Sequence, residues 1–163
     1  MDMANIQVLN GPNVNLIGTR QLFGDTTLEQ VDRQLIDLAQ RHGYQLETFQ
    51  SNAEHELIDQ VQSSRRRGIV YVILNPGGLA YTSVALRDAF SAVEIPFIEV
   101  HLSNIFAREA FRSRSKFSDI AIGTICGLGA YGYELALTYI LTMLGNGKEL
   151  RSVDSMATLR AGA

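Results

Sequence analysis

The chain has a single cysteine, no tryptophan and only three prolines in 163 residues. One thiol closes no internal disulfide, so the fold must rest on its core, and a reducing compartment suits that usage. A chain of this length buries roughly two thirds of its unfolded surface and needs no covalent or metal staple. Cys126 follows Thr124-Ile125 in an apolar run and is expected to be a buried structural thiol rather than a nucleophile. Long hydrophobic runs are also missing: none approaches the ~18 residues that span a bilayer. The N-terminus lacks a charged segment followed by an apolar one, so no secretory signal is expected. Excess positive charge is absent too, since the net charge is −3, and nothing resembles a nucleic-acid footprint. The one basic cluster, Arg65-Arg66-Arg67, falls where a helix should end, and there cations complement the helix dipole. These absences predict one cytoplasmic domain over residues 1–145, followed by a mobile, polar tail at 146–163.

Apolar patterning supplies the architecture. Short apolar runs at Ile6–Leu9, Leu46–Phe49, Ile69–Leu74, Pro96–His101 and Ile120–Ile125 read as five strands. Between them, Leu28, Val31, Leu35, Leu38 and Ala39 recur at helical spacing, and capping-box spacing occurs at both Thr26–Glu29 and Thr27–Gln30. Leu57, Ile58 and Val61 mark a second helix, Ser83 to Val93 a third, and Ala130 to Leu144 a last one. Strand and helix alternate with short connections. That predicts an α/β, three-layer sandwich around a doubly wound, five-stranded parallel sheet of flavodoxin-like order 2-1-3-4-5. No internal repeat is present.

In such sheets ligands bind at the C-terminal ends of the strands. Three strand ends carry polar clusters: Asn10 to Arg20, Asn75 to Thr82, and His101 to Asn104. The predicted order makes their strands neighbours, so the loops should converge. His101 is the natural candidate for acid–base work, because imidazole titrates near neutrality. Glu99 stands two residues earlier, on the same face of the strand, where a carboxylate can hold the ring. Position alone leaves a satisfied strand-end histidine as an equal alternative. Asn75-Pro76-Gly77-Gly78 offers an amide and a backbone that a ligand can approach closely. Leu102-Ser103 offers N–H groups and a hydroxyl to an anion. Arg20, Arg108 and Arg112 bring cationic forks to the same rim. The site suits a small, oxygen-rich anion, and no metal-ligand spacing appears.

Two further patterns carry less. Gly127-Leu128-Gly129-Ala130-Tyr131-Gly132 matches G-x-G-x-x-G, yet no later strand could present an acid to a ribose, so close helix–strand packing explains the glycines better. Asn10-Gly11-Pro12-Asn13 lacks the hydroxyl-rich run that wraps a phosphate, which disfavours a flavin or phosphate carrier.

The chain resembles type II 3-dehydroquinate dehydratase over about residues 5–144. The resemblance lies in Leu9-Asn10-Gly11-Pro12-Asn13-Val14-Asn15-Leu16, Gln50-Ser51-Asn52, Asn75-Pro76-Gly77 and Thr82-Ser83-Val84-Ala85-Leu86-Arg87-Asp88. It continues through Ile98-Glu99-Val100-His101-Leu102-Ser103-Asn104, Ala107-Arg108-Glu109 and Ile125-Cys126-Gly127-Leu128-Gly129. What the resemblance implies is a cofactor-free lyase, assembled as trimers into a dodecamer, that removes water from 3-dehydroquinate through an enolate. It implies that Asn13 helps stabilise the enolate and that His101, oriented by Glu99, protonates the departing hydroxyl. Asn75 with Leu102 and Ser103 would hold the carboxylate, and Arg112 the ring hydroxyls. Asp88 would reach in from a neighbouring subunit, and Arg20 would sit beside the base.

The base itself departs from the pattern. The family's run after glycine is roughly R-E-P-x-x-Y-G, with the tyrosine acting as a phenolate. Here Arg20-Gln21-Leu22-Phe23-Gly24 is two residues shorter, and Phe23 takes the tyrosine's place. Phenylalanine cannot accept a proton. Tyr81 and Phe106 also replace histidines of the family, and Tyr81 is either a substitute base or a pocket wall. A non-catalytic protein that binds a quinate-like ligand is the alternative these departures raise.

Overall fold

Alternation within each strand builds this fold. In a computed structural model, which describes residues 5–19 and 25–145, the five apolar runs form an all-parallel sheet in the order β2-β1-β3-β4-β5. The strands are β1 (Asn5–Asn10), β2 (Gln45–Gln50), β3 (Ile69–Asn75), β4 (Phe97–His101) and β5 (Gly123–Cys126). The helices are α1 (Leu28–Arg41), α2 (Glu54–Ser63), α3 (Leu79–Thr82), α4 (Val84–Val93) and α5 (Tyr131–Gly145). The expected strand order is the observed one. The tail expected at 146–163 lies outside the described residues.

Ile6, Val8, Tyr71, Ile73, Ile98 and Val100 point to one face, where they pack with Val31 and Leu35 of α1 and Tyr133, Leu137 and Ile140 of α5. Their neighbours Leu9, Val72, Leu74 and Phe97 point to the other, against Leu57 and Val61 of α2 and Leu86 and Phe90 of α4. Phe90, Phe97 and Phe117 meet there with ring centroids 4.4–6.5 Å apart. Each such buried side chain contributes about 1.5–3 kcal/mol. Glu99 and His101 share the period of Phe97 and therefore leave on this second face.

Of the two capping boxes expected for α1, the chain uses Thr27. Its hydroxyl accepts from Gln30 N at 3.3 Å, and Gln30 Oε1 accepts from Thr27 N at 2.9 Å. Ser83 caps α4 by accepting from Leu86 N at 2.9 Å. Arg65-Arg66-Arg67 forms a single turn after α2, and Arg65 donates to Val93 O and Glu94 O at the end of α4. A cation at a helix C-terminus is the arrangement the dipole favours.

Two expectations need correction. Strand β5 begins at Gly123, not Ile120. Ile120 and Ala121 instead close a turn in which both N–H groups donate to Phe117 O, and Ala121 is buried beside Phe117. Their apolar character serves that packing rather than a strand. Cys126 is half-buried, not buried, because β5 is the edge of the sheet.

Candidate active site

The loops after β1 and β3 are pressed together so closely that both need glycine. Gly11 N donates to Asn75 O at 2.7 Å, and a Cβ on Gly11 would stand 2.3 Å from Pro76 O. Gly77 has φ +57°, and a Cβ there would lie 2.6 Å from Pro12 O. Gln50-Ser51-Asn52 braces the first loop from β2. Gln50 Nε2 donates to Gly11 O at 3.3 Å, Ser51 N to Asn10 O at 3.1 Å, and Asn52 Oδ1 accepts from Asn13 N at 2.9 Å. Asn13 takes the left-handed conformation (φ 68°), which asparagine tolerates better than most residues.

Of the glycines after β5, Gly132 alone serves the expected helix–strand packing, while Gly127 (φ +87°) and Gly129 (φ +58°) shape a turn. Gly127 N donates to His101 O at 3.2 Å and Gly129 N to Leu102 O at 2.9 Å, so this turn grips the strand-4 loop. A Cβ on Gly132 would meet Ile125 and Val100 at 3.3 Å each, which places α5 directly on the sheet.

These loops enclose a pocket of about 240 Å³, room for one small molecule. Its lining brings together Asn13, Asn75, Tyr81, His101, Leu102, Ser103 and Arg112, with Arg108 beside them. The convergence predicted from the strand ends therefore holds for the described residues. Asp88 is exposed on α4 and is not part of this lining. Arg20 and Phe23 lie outside the described residues.

Glu99 is fully buried, yet four donors surround it. His101 Nε2 lies 2.7 Å from Oε1, which also accepts from the Ser115 hydroxyl, while Oε2 accepts from Ser118 and Thr124. Burial alone would raise its pKa, but the bonds from His101, Ser115 and Ser118 together win and hold it below the usual value. A carboxylate that stays ionised can only accept. The ring nitrogen facing it must therefore carry a proton, and Nδ1 is the nitrogen left to exchange a proton with a ligand.

Another part of the lining is cationic and aromatic. Tyr81 and Phe111 meet edge to face at 5.5 Å, and the Arg112 guanidinium lies 5.4 Å and 4.9 Å from their ring centroids. Glu109 accepts from Arg112 Nε at 2.6 Å and lies 3.5 Å from Arg108 Nε, while Arg108 Nη1 donates to Ser103 Oγ at 3.2 Å. One carboxylate thus steadies two guanidinium groups, and the wall keeps a positive excess suited to an anion. Burial raises the Tyr81 pKa against the opposing influence of Arg112 and Arg108, so its phenol is neutral at pH 7. This does not suit the role of substitute base.

Sequence reasoning missed Glu109, Ser115, Ser118 and Tyr133 as parts of the site. Ser115 and Ser118 lie well past the end of β4, and their hydroxyls reach Glu99 from outside the strand.

Known proteins match this chain along nearly its whole described length. The family model for class II dehydroquinases matches residues 4–141. A 3-dehydroquinate dehydratase of Nitrosomonas eutropha is 56% identical over 141 residues, spanning 85% of this chain and 97% of that one. The type II dehydroquinase of Propionibacterium acnes superposes with a TM-score of 0.80 at 36% identity, over 87% of this chain and 99% of that one. That of Butyrivibrio crossotus gives 0.82 at 34%, with the same coverage. Together with a parallel 2-1-3-4-5 sheet whose inner strand ends converge on one pocket, these matches place the chain in the class II dehydroquinase family.

Proposed function

We propose that the pocket binds 3-dehydroquinate and converts it to 3-dehydroshikimate by anti elimination of water. The observation that carries this reading is His101, held by the buried Glu99, lining a pocket that Arg108 and Arg112 also line. With Phe23 unable to accept it, the C2 proton passes to a water in the pocket, which carries it to solvent, and Asn13 helps to stabilise the enolate that remains. The C1–O bond then breaks as His101 delivers its proton to the departing hydroxyl, which leaves as water. Asn75, Leu102 and Ser103 take the carboxylate, and Arg112 the ring hydroxyls. Tyr81 acts as a neutral wall and a hydrogen-bonding group. Asp88 completes the site from a neighbouring copy in a trimer, four of which make a dodecamer. The reaction uses no cofactor, takes place in the cytoplasm and belongs to shikimate synthesis or quinate breakdown.

Phe23 supports a second reading, a protein that binds the same ligand without turning it over. Among the described residues that line the pocket, only Tyr81, His101, Arg108 and Arg112 can titrate, and none is a ready base for the C2 proton besides His101 itself. Mixing the protein with 3-dehydroquinate and following the ultraviolet absorbance of the conjugated enone separates the two. Growth clearly above background is expected for the enzyme. A ligand-dependent rise in the unfolding temperature without that absorbance supports the binder.

A further inference from the structure

The Asn75 amide is oriented before any ligand arrives. Gly77 N donates to Asn75 Oδ1 at 3.2 Å, and a backbone N–H has no acceptor role to exchange. Oδ1 is therefore turned to Gly77, and Nδ2 to Tyr133, whose phenol oxygen accepts at 2.7 Å. The phenol then sends its own proton to Asn10 Oδ1 at 2.5 Å. Asn75 is 3% exposed at the pocket, and Tyr133 and Asn10 are 0% exposed, so solvent cannot stand in for the partners of Tyr133 and Asn10. Burial drives the Tyr133 pKa far upward, which keeps the phenol neutral and able both to accept and to donate. Asn10 Nδ2 has no partner among the described residues, a cost this polarity carries.

We infer that Tyr133, from α5, is a positioning residue whose phenol locks the Asn75 amide, so that the pocket meets its ligand there with an N–H and not with an oxygen. One hydrogen of Nδ2 is held by Tyr133, and the other is the one available to the pocket. The ligand atom at this point must then be an acceptor, such as a carboxylate or hydroxyl oxygen. An ammonium or amide N–H placed there would find no acceptor and be rejected. The inference rests on the reading of the pocket as a 3-dehydroquinate site.

The test is a double-substitution cycle on the full chain with Tyr133→Phe, Asn75→Ala and both together. Affinity for 3-dehydroquinate is read as KM from initial rates, or as Kd from the ligand-dependent unfolding temperature where turnover is absent. Tyr133→Phe keeps the ring but leaves the amide held by Gly77 N alone, and affinity should weaken roughly tenfold. In the Asn75→Ala background the same change should weaken it less than about twofold, because the group it acts through is gone. Should Tyr133→Phe fail to fold, Asn10→Ala removes only the acceptor of the phenol proton and should weaken affinity in the same way, again only when Asn75 is present. Unchanged affinity in Tyr133→Phe, or an equal loss in both backgrounds, overturns the inference. Absence of binding by the unsubstituted protein overturns the 3-dehydroquinate reading instead. The lock is then judged by thermal unfolding, where fully additive losses for Tyr133→Phe and Asn75→Ala contradict it.

Discussion

Replacing Glu99 by alanine is expected to lower the thermal unfolding midpoint by roughly 10 °C, reflecting a loss of about 3–5 kcal/mol. Four donors converge on this carboxylate in a fully buried position: His101 Nε2 and the hydroxyls of Ser115, Ser118 and Thr124. Removing the acceptor leaves these groups without their partner, and an unmet buried donor costs more than a met one gains. Glu99→Gln keeps one acceptor for the ring N–H, and the hydroxyls can turn to accept from its amide, so its loss should be smaller. The same carboxylate gives stability a pH signature. Its pKa in the folded protein lies below the ordinary 4.5, so the unfolded chain binds a proton there first as pH falls. The stabilisation is complete above that ordinary value and is lost as pH drops through the folded one. Midpoints measured between neutral and strongly acid pH should therefore fall more steeply for the unsubstituted protein than for Glu99→Gln. Parallel curves would show that Glu99 is not held as an anion. Turnover by Glu99→Ala should drop together with the orientation of the His101 ring.

Phe23→Tyr should raise turnover of 3-dehydroquinate by about 10²–10⁴-fold, the usual contribution of a positioned general base. On the proposed reading Phe23 stands where the family has its tyrosine base, and phenylalanine has no proton acceptor. A free tyrosine has a pKa of about 10, and making it a base at pH 7 takes roughly 3 units of depression, or ~4 kcal/mol, from nearby cations, the role the resemblance gives to Arg20. On that reading the restored phenol supplies the base of an acid–base pair whose proposed acid, His101, is held by Glu99 at 2.7 Å. Comparing kcat of the two proteins by enone absorbance gives the answer. No gain would locate the deficit in the length of the Arg20–Gly24 segment, two residues shorter than the family's run, rather than in the missing hydroxyl.

How much of this could be read from the chain follows from the range of each interaction. Strand order was legible because a parallel sheet covered on both faces demands uninterrupted apolar runs, and Ile69–Leu74 is such a run. The Glu99–His101 pair was legible because two-residue spacing on a strand fixes a shared face, whatever surrounds it. The start of β5 was not, since Ile120 and Ala121 are as apolar as strand residues but bury in a turn beside Phe117. Nor did the local pattern single out Ser115, Ser118 or Tyr133. Tyr133 reaches Asn10 across 123 positions of chain, and its helix reads simply as core. Such contacts exist only once the layers have closed, whereas the strand-end rule needs only the sheet.

His101 remains the most direct test of the proposed chemistry. Unsubstituted protein and His101→Ala should be mixed with 3-dehydroquinate under identical conditions, with the enone absorbance followed in both. The expected result is an absorbance rise with the first and a rate lower by at least about 10²-fold with the second, the usual weight of a positioned general acid. Binding, read from the ligand-dependent unfolding temperature, should be retained in both. Equal rates in the two proteins would contradict the role given to His101. An unsubstituted protein stabilised by the ligand but silent in absorbance would contradict the assignment as a dehydratase.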